Sequence, residues 1–186
     1  MVAGLGNPGI EFVNTRHNVG AEAVAELAVR HQGRLKSEKG LYAQACEVTI
    51  GGRRVLLAVP LTFMNESGRA VAPVVRRGGE GATLIVVHDE LDLPSGRVKV
   101  KAGGGSAGHN GLKSIDSHLH SNEYARVRIG IGKPPGRQAG ADYVLKRPGA
   151  SERSVLVEAI AEAADAVEAI VSDGVEAAMN RFNASA

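Results

Sequence analysis

The unbroken aliphatic run Leu84-Ile85-Val86-Val87 constrains this chain more than any other feature. It has the length of a strand, and a strand apolar on both faces is a strand covered on both faces. Such strands belong to α/β sheets, in which ligands bind outside the carboxyl ends of the strands. The run ends in His88-Asp89-Glu90-Leu91-Asp92, so the chemistry of the chain is expected there. Asp89 directly follows the buried segment and is the carboxylate expected to point inward.

The remaining elements can be laid around that strand. Val2-Ala3 reads as the end of another buried strand, leading into Gly4-Leu5-Gly6-Asn7-Pro8-Gly9. Apolar positions recur at helical spacing between Asn18 and His31, with Gly33 as the expected stop. The runs Leu41–Ile50 and Arg54–Val59 flank Gly51-Gly52 and predict a hairpin. Phe63-Met64-Asn65 leads into a helix carrying Val71, Val74 and Val75, closed by Gly78-Gly79 and interrupted by Pro73. The stretch Lys133–Ala141 is rich in Pro and Gly and reads as a surface loop. One apolar stripe predicts a long helix over Glu152–Ser172, capped by Ser151 and ended by Gly174, and a short helix through Met179 closes the chain.

At 186 residues the chain is expected to form a single domain spanning residues 1–186, large enough to bury roughly 70% of its unfolded surface. No apolar stretch approaches the roughly 20 residues of a membrane span, and no basic segment precedes an apolar run near Met1. The expectation is a cytoplasmic protein without a membrane anchor. Cys46 is the sole cysteine, which excludes an intrachain disulfide and a cysteine metal cage.

The formal net charge of +2 conceals an asymmetry. Residues 93–150 carry ten basic and three acidic side chains, a net of +7, whereas residues 151–186 carry two basic and seven acidic, a net of −5. Arg97-Val98-Lys99-Val100-Lys101 alternates strictly, which predicts three cations on one face of a strand, and Arg126-Val127-Arg128-Ile129 predicts the same. A ribbon of aligned cations suits a polyanion.

His17 precedes the first long helix, where the helix dipole disfavours an imidazolium and keeps a base neutral near pH 7. An Asp bonded to one imidazole nitrogen would fix its tautomer, a role open to Asp89. Ser67, Ser106 and Cys46 lie in contexts unlike that of an activated nucleophile, so the attacking group should be water. Asn7, Asn65 and Asn110 sit at element boundaries; each alone reads as a cap or turn residue, and together they suggest a site lined by neutral amides. Phe12 and Met64 are candidate apolar walls.

Two glycine runs, 4–9 and 103–108 with its continuation to Gly111, match a dinucleotide fingerprint formally. The first opens into a turn instead of a helix, and the strand after the second ends in Gly132-Lys133, where a ribose-binding acid is required. The second run is expected to be a backbone-exposing loop beside a ligand. His118 and His120 lack a third nearby ligand, so no metal is expected there, and the acids of His88–Asp92 can orient a histidine without an ion.

The runs Gly-Leu-Gly-Asn-Pro-Gly (4–9), Thr-Arg-His-Asn (15–18), Thr-Phe-Met-Asn-Glu-Ser-Gly (62–68), His-Asp-Glu-Leu-Asp-Leu-Pro (88–94), Gly-His-Asn-Gly-Leu (108–112) and Arg-Ile-Gly-Ile-Gly (128–132), in that order and over nearly the whole chain, resemble bacterial peptidyl-tRNA hydrolase. The resemblance implies a twisted mixed β-sheet flanked by helices, acting as a monomer without a cofactor. It implies hydrolysis of the ester between a peptide and the 3′-ribose of tRNA, with His17 as base, Asp89 as its orienting partner and Asn7 beside it. It implies Met64, Asn65, His109 and Asn110 as residues lining the substrate cleft, Asn110 also positioning the water. It implies Lys99, Lys101 and Arg128 as cations on acceptor-stem phosphate. Phe12 departs from the family pattern, in which tyrosine is common there, and Ser106-Ala107 departs from a loop often richer in glycine. The same fold without catalysis serves RNA binding in some relatives, and the presence of His17, Asp89 and all three asparagines favours the hydrolase.

Overall fold

The structure, a computed structural model, describes residues 1–184. Seven strands form one mixed sheet: β1 (Val2–Gly4), β2 (Lys36–Glu38), β3 (Ala43–Ile50), β4 (Arg53–Pro60), β5 (Ile85–Glu90), β6 (Val98–Ala102) and β7 (Ala125–Gly130), in the order β2-β3-β4-β1-β5-β7-β6. The four central strands β4, β1, β5 and β7 run parallel, and antiparallel strands flank them on each side. The helices are α1 (Val19–Arg30), α2 (Ser67–Gly78), α3 (Asn110–Leu119), α4 (Gly140–Val144), α5 (Ala150–Asp173) and α6 (Val175–Asn183). No helix among the described residues is long and apolar enough to cross a membrane.

The run at 84–87 does what its composition requires. Every residue of β5 is buried, and the strand extends through His88, Asp89 and Glu90. Because side chains alternate, Val87 joins the core beneath α1 and α5, while Val86 joins the core beneath α2 and α3. The hairpin forms with both Gly51 (φ 56°) and Gly52 (φ 75°) left-handed, which two-residue turns of matching twist need, and Ile50 pairs with Arg53 across it. Pro73 sits inside α2 without ending it.

Glycine packing decides where α1 lies. A Cβ on Gly20 would stand 2.2 Å from the Val87 carbonyl, and one on Gly4 would stand 2.3 Å from the Gly20 carbonyl. The helix therefore rests directly on β1 and β5, with Ala21 N–H donating to the Leu5 carbonyl at 2.9 Å. This sets the residues just before α1 over the carboxyl end of β5.

Several local expectations need correction. α1 stops at Arg30, and Gln32 (φ 56°), not Gly33, takes the left-handed turn. α5 starts one residue before Ser151; Gly149 is its cap and no side chain bonds there. The loop after Lys133 ends in α4, a helix too short to give a periodic signal. Arg97 lies before β6, and its guanidinium reaches the Ala184 carbonyl. Arg126 is not part of a free cationic ribbon: it is 2% exposed, because its guanidinium turns into the loop between β6 and α3.

Candidate active site

A 3-10 turn over Arg16–Asn18 leads into α1 and carries His17 above the end of β5. Its neighbours fix it there. Arg16 makes a two-pronged pair with Glu152 of α5 (2.7 and 2.6 Å), bonds the Tyr143 and Lys146 carbonyls, and lies 4.0 Å over the Tyr143 ring. Asn18 exchanges two 2.9 Å bonds with the backbone of Asn7, tying the turn after β1 to the same spot.

His17 Nδ1 lies 2.9 Å from both carboxylate oxygens of Asp89. An ionised carboxylate only accepts, so Nδ1 carries the proton and the lone pair is on Nε2. That nitrogen makes no hydrogen bond among the described residues, and His17 lines the cleft. Asp89 has a second donor. His109 is the N-cap of α3: its Nδ1 accepts from the Gly111 and Leu112 N–H groups (3.1 and 3.3 Å), so its Nε2 is protonated and donates to Asp89 Oδ1 at 2.9 Å. The carboxylate thus sits between two imidazole N–H groups.

Burial disfavours the Asp89 charge, yet the two histidines more than offset it and hold the carboxyl well below the usual range. Burial pulls His17 down, but the Asp89 charge and hydrogen bond outweigh it, and its pKa is raised above 6.5. This corrects the expectation from the helix dipole: the nearby carboxylate, which that expectation left out, favours the imidazolium. The third histidine, His88, is buried beneath the site, and donates from Nδ1 to the Asp89 backbone carbonyl at 2.7 Å. Burial is the main cause that pushes its pKa down to about 3, so it stays neutral.

Ligand atoms of His17, Asp89 and His109 lie within 4.8 Å of one another, a separation that a metal could bridge. The hydrogen bonds argue otherwise: both nitrogens facing Asp89 carry protons, and His109 has its only lone pair engaged by backbone N–H groups. The arrangement fits a hydrogen-bonded relay: no imidazole lone pair points into the space between the three groups, and the one left over, on His17 Nε2, faces the cleft.

The cleft above the relay has a volume of about 250 Å³. His17 and Asp89 form its floor, Ser106–Asn110 one wall, and Gly140, Ala141 and Val144 of α4 the other. The candidate residues divide accordingly. His17, Asp89, His109 and Asn110 come together in it. Asn7, Met64, Asn65 and Phe12 are not among its lining residues: Asn7 follows β1, and Phe12 and the Met64-Asn65 pair lie on 3-10 turns. Asn7 Oδ1 accepts the Met64 N–H at 2.7 Å, which leaves its amide N–H groups free for other partners. Asn65 is exposed on a 3-10 turn over Met64–Glu66. Met64 itself is 4% exposed and packs in the α2–α3 core, so it is a foundation more than a wall. Phe12 packs edge-on against Phe63, ring centroids 6.3 Å apart, and Phe63 presents over half its surface to solvent.

On the far side of β7, Lys99 pairs in register with Arg128 and Lys101 with Arg126. Neither lysine has an ion-pair partner among the described residues, whereas Arg128 is bound to Glu90 at 3.1 Å. The sequence alone assigns no site role to Arg16, Asn18 and Phe63, and it reads the buried Arg126 as an exposed cation. The first three lie inside the family-like motifs, beside residues with assigned roles. Arg126 had the alternation of an exposed cation and no local sign of burial.

The chain matches the peptidyl-tRNA hydrolase family over residues 1–186. It is 51% identical over 183 residues to the peptidyl-tRNA hydrolase of Rubrobacter xylanophilus, covering 98% of this chain and 99% of the relative. It is 49% identical over 184 residues to that of Rhodococcus erythropolis, covering 98% and 97%. The crystal structure of peptidyl-tRNA hydrolase from Acinetobacter baumannii superposes with a TM-score of 0.91 at 37% identity, covering 98% of this chain and 93% of the other. Sheet order, site geometry and these matches agree, and the chain belongs to the peptidyl-tRNA hydrolase family.

Proposed function

We propose that this protein hydrolyses the ester joining a peptide to the 3′-terminal ribose of tRNA, with His17 as general base. The observation that carries the mechanism is the pairing of His17 Nδ1 with Asp89 at 2.9 Å, which leaves Nε2 as a base with no protein partner among the described residues. Nε2 takes a proton from water as the water oxygen attacks the ester carbonyl. Asp89 stabilises the imidazolium formed, and His109 keeps Asp89 ionised and oriented. The tetrahedral intermediate then expels the ribose oxygen, which takes the proton back from His17. The products are a peptide acid and a free tRNA 3′ end. A ribose ester is intrinsically reactive, so a positioned base supplying about 10²–10⁴-fold is matched to the task.

Substrate selection is assigned to neutral groups. Asn7, Asn65 and Asn110 would pair with peptide groups, Asn110 also with the attacking water, and Phe12 and Phe63 would cover apolar surface, with Met64 supporting them from below. A free α-ammonium would lose its water among these groups without gaining a counter-charge, so N-acylated esters are preferred. Lys99 and Lys101, free of acidic partners, would meet acceptor-stem phosphates. Arg128 would join them only by sharing its guanidinium with Glu90. The same reading carries a single domain over residues 1–186, acting as a cytoplasmic monomer.

The test is release of the acyl group from purified N-acetyl-aminoacyl-tRNA, with the unacetylated compound as control. Rapid release from the first and slow release from the second is the expected result. Equal rates, or no release from the acetylated compound, would refute the reading.

A further inference from the structure

We propose that Arg126 is a positioning residue for hydrolysis: it holds the glycine loop that carries His109 and Asn110 over the relay. This rests on the function proposed above and deepens it. The loop from Gly103 to His109 joins β6 to α3. Its first residue is anchored, with Gly103 N–H donating to the Tyr124 carbonyl at 3.0 Å. Its last is anchored too, with His109 capping α3 and bonding Asp89. Between these ends, the Ser106 carbonyl accepts from the His109 N–H at 2.9 Å within the loop, and among the described residues Arg126 alone bonds Gly104–Gly108 from outside it. Arg126 Nη1 donates to the Gly105 carbonyl at 2.7 Å, and Nη2 donates to the Gly104 carbonyl. Gly103 (φ 59°) and Gly104 (φ 105°) take left-handed backbone conformations that glycine adopts readily.

Three features suit Arg126 to holding the loop and not to meeting solvent or phosphate. The residue is buried on β7, a rigid strand paired on both sides. Its guanidinium carbon lies 4.8 Å over the Tyr124 ring, and the Tyr124 hydroxyl is fixed in turn by Asp116 at 2.6 Å. It has no carboxylate partner among the described residues, so its charge is answered by two peptide dipoles. A planar fork can serve two adjacent carbonyls at once, whereas an ammonium offers a single point charge. Removing the fork frees the middle of the loop while leaving every reacting group of the relay in the chain. The loss therefore falls on the placement of His109 and Asn110.

The experiment compares wild type, Arg126→Lys and Arg126→Gln in two measurements: amide exchange at Gly103 and His109, the hydrogen-bonded N–H groups at the two ends of the loop, and kcat and KM on N-acetyl-aminoacyl-tRNA. The expected result is at least tenfold faster exchange at those two amides for both variants. With it come a tenfold or greater loss of kcat/KM and an acidic limb of the rate profile moved to higher pH. The limb moves upward because a loosened His109 leaves the Asp89 charge to His17 alone. Tyr124→Leu, which removes the platform but neither donor, serves if the Arg126 variants do not fold, and should show the same changes to a smaller extent. Unchanged loop exchange overturns the proposal, as does fast exchange with wild-type kcat/KM and an unmoved limb. Absence of hydrolysis by the wild type would sink the function and leave the exchange measurement to judge the loop.

Discussion

At the scale of single residues, the site turns on how one carboxylate is shared. Asp89 meets His17 and His109, and the sharing sets protonation. His17 must be neutral to act as base, and its pKa is raised, so activity should climb with pH through a midpoint above 6.5. In Asp89→Asn the raising influence is gone and burial, which lowers the pKa, remains. The midpoint should then move to lower pH while the plateau rate falls by about 10²-fold or more, as read from kcat profiles. A midpoint left in place would show that Asp89 does not govern His17. His88 gives an independent prediction on stability. Its folded pKa of about 3 lies below the ordinary 6.5, so between those values the unfolded chain binds a proton that the native chain does not. Stability falls on acidification below pH 6.5 by on the order of 1 kcal/mol per unit, and His88→Gln should flatten that slope in urea melts taken from pH 7 to 4. His17 and Asp89 were legible in sequence because each stands at an element end rich in polar residues. Their contact spans 72 positions along the chain, and no spacing rule reveals it. The double donation to Asp89 was hidden for the same reason: His109 reads locally as a loop residue, and its role comes from capping α3.

At the scale of elements, the relay depends on how closely α1 approaches the sheet. Gly20 faces the Val87 carbonyl, two residues before Asp89, so a methyl group there meets backbone that cannot turn aside. Gly20→Ala should lower stability by about 1–3 kcal/mol, the usual range for overpacking, and should cut kcat as His17 is lifted from Asp89. A denaturation midpoint and kcat both equal to wild type would contradict this packing account. Strands and long helices were readable because β5, the β3–β4 hairpin, α1 and α5 carry uninterrupted patterns over many residues. Their ends were less readable. Gln32 replaces Gly33 as the turning residue, and Gly149 replaces Ser151 as a cap, because several neighbouring residues could serve and packing chose among them. Arg126 shows the limit most plainly: alternation placed it on the correct face of β7, but the loop folded over that face cannot be seen from the strand.

At the scale of the whole molecule, charge is segregated by sequence segment and by place. The acidic helices α5 and α6 pack behind the sheet, with Arg16, Arg30 and Arg153 paired to acids across elements. The basic stretch supplies Lys99 and Lys101 beside the glycine loop. A tRNA substrate should bind through these lysines with strong dependence on salt. Lys99→Ala and Lys101→Ala should each raise KM with little change in kcat. Each should also reduce the slope of log KM against log salt by roughly 0.7–0.9 for every phosphate no longer neutralised. Slopes equal to wild type would place the phosphates elsewhere. The family assignment was readable from six motifs in order, while the arrangement of their side chains around one cleft required the fold.

The central claim is that His17, held by Asp89, removes the proton from the attacking water. The most direct test is single-turnover cleavage of N-acetyl-aminoacyl-tRNA by His17→Ala at saturating enzyme, which isolates the chemical step. The account predicts a rate lower by at least about 10²-fold with binding of uncleaved substrate retained. A rate near that of the wild type would contradict it.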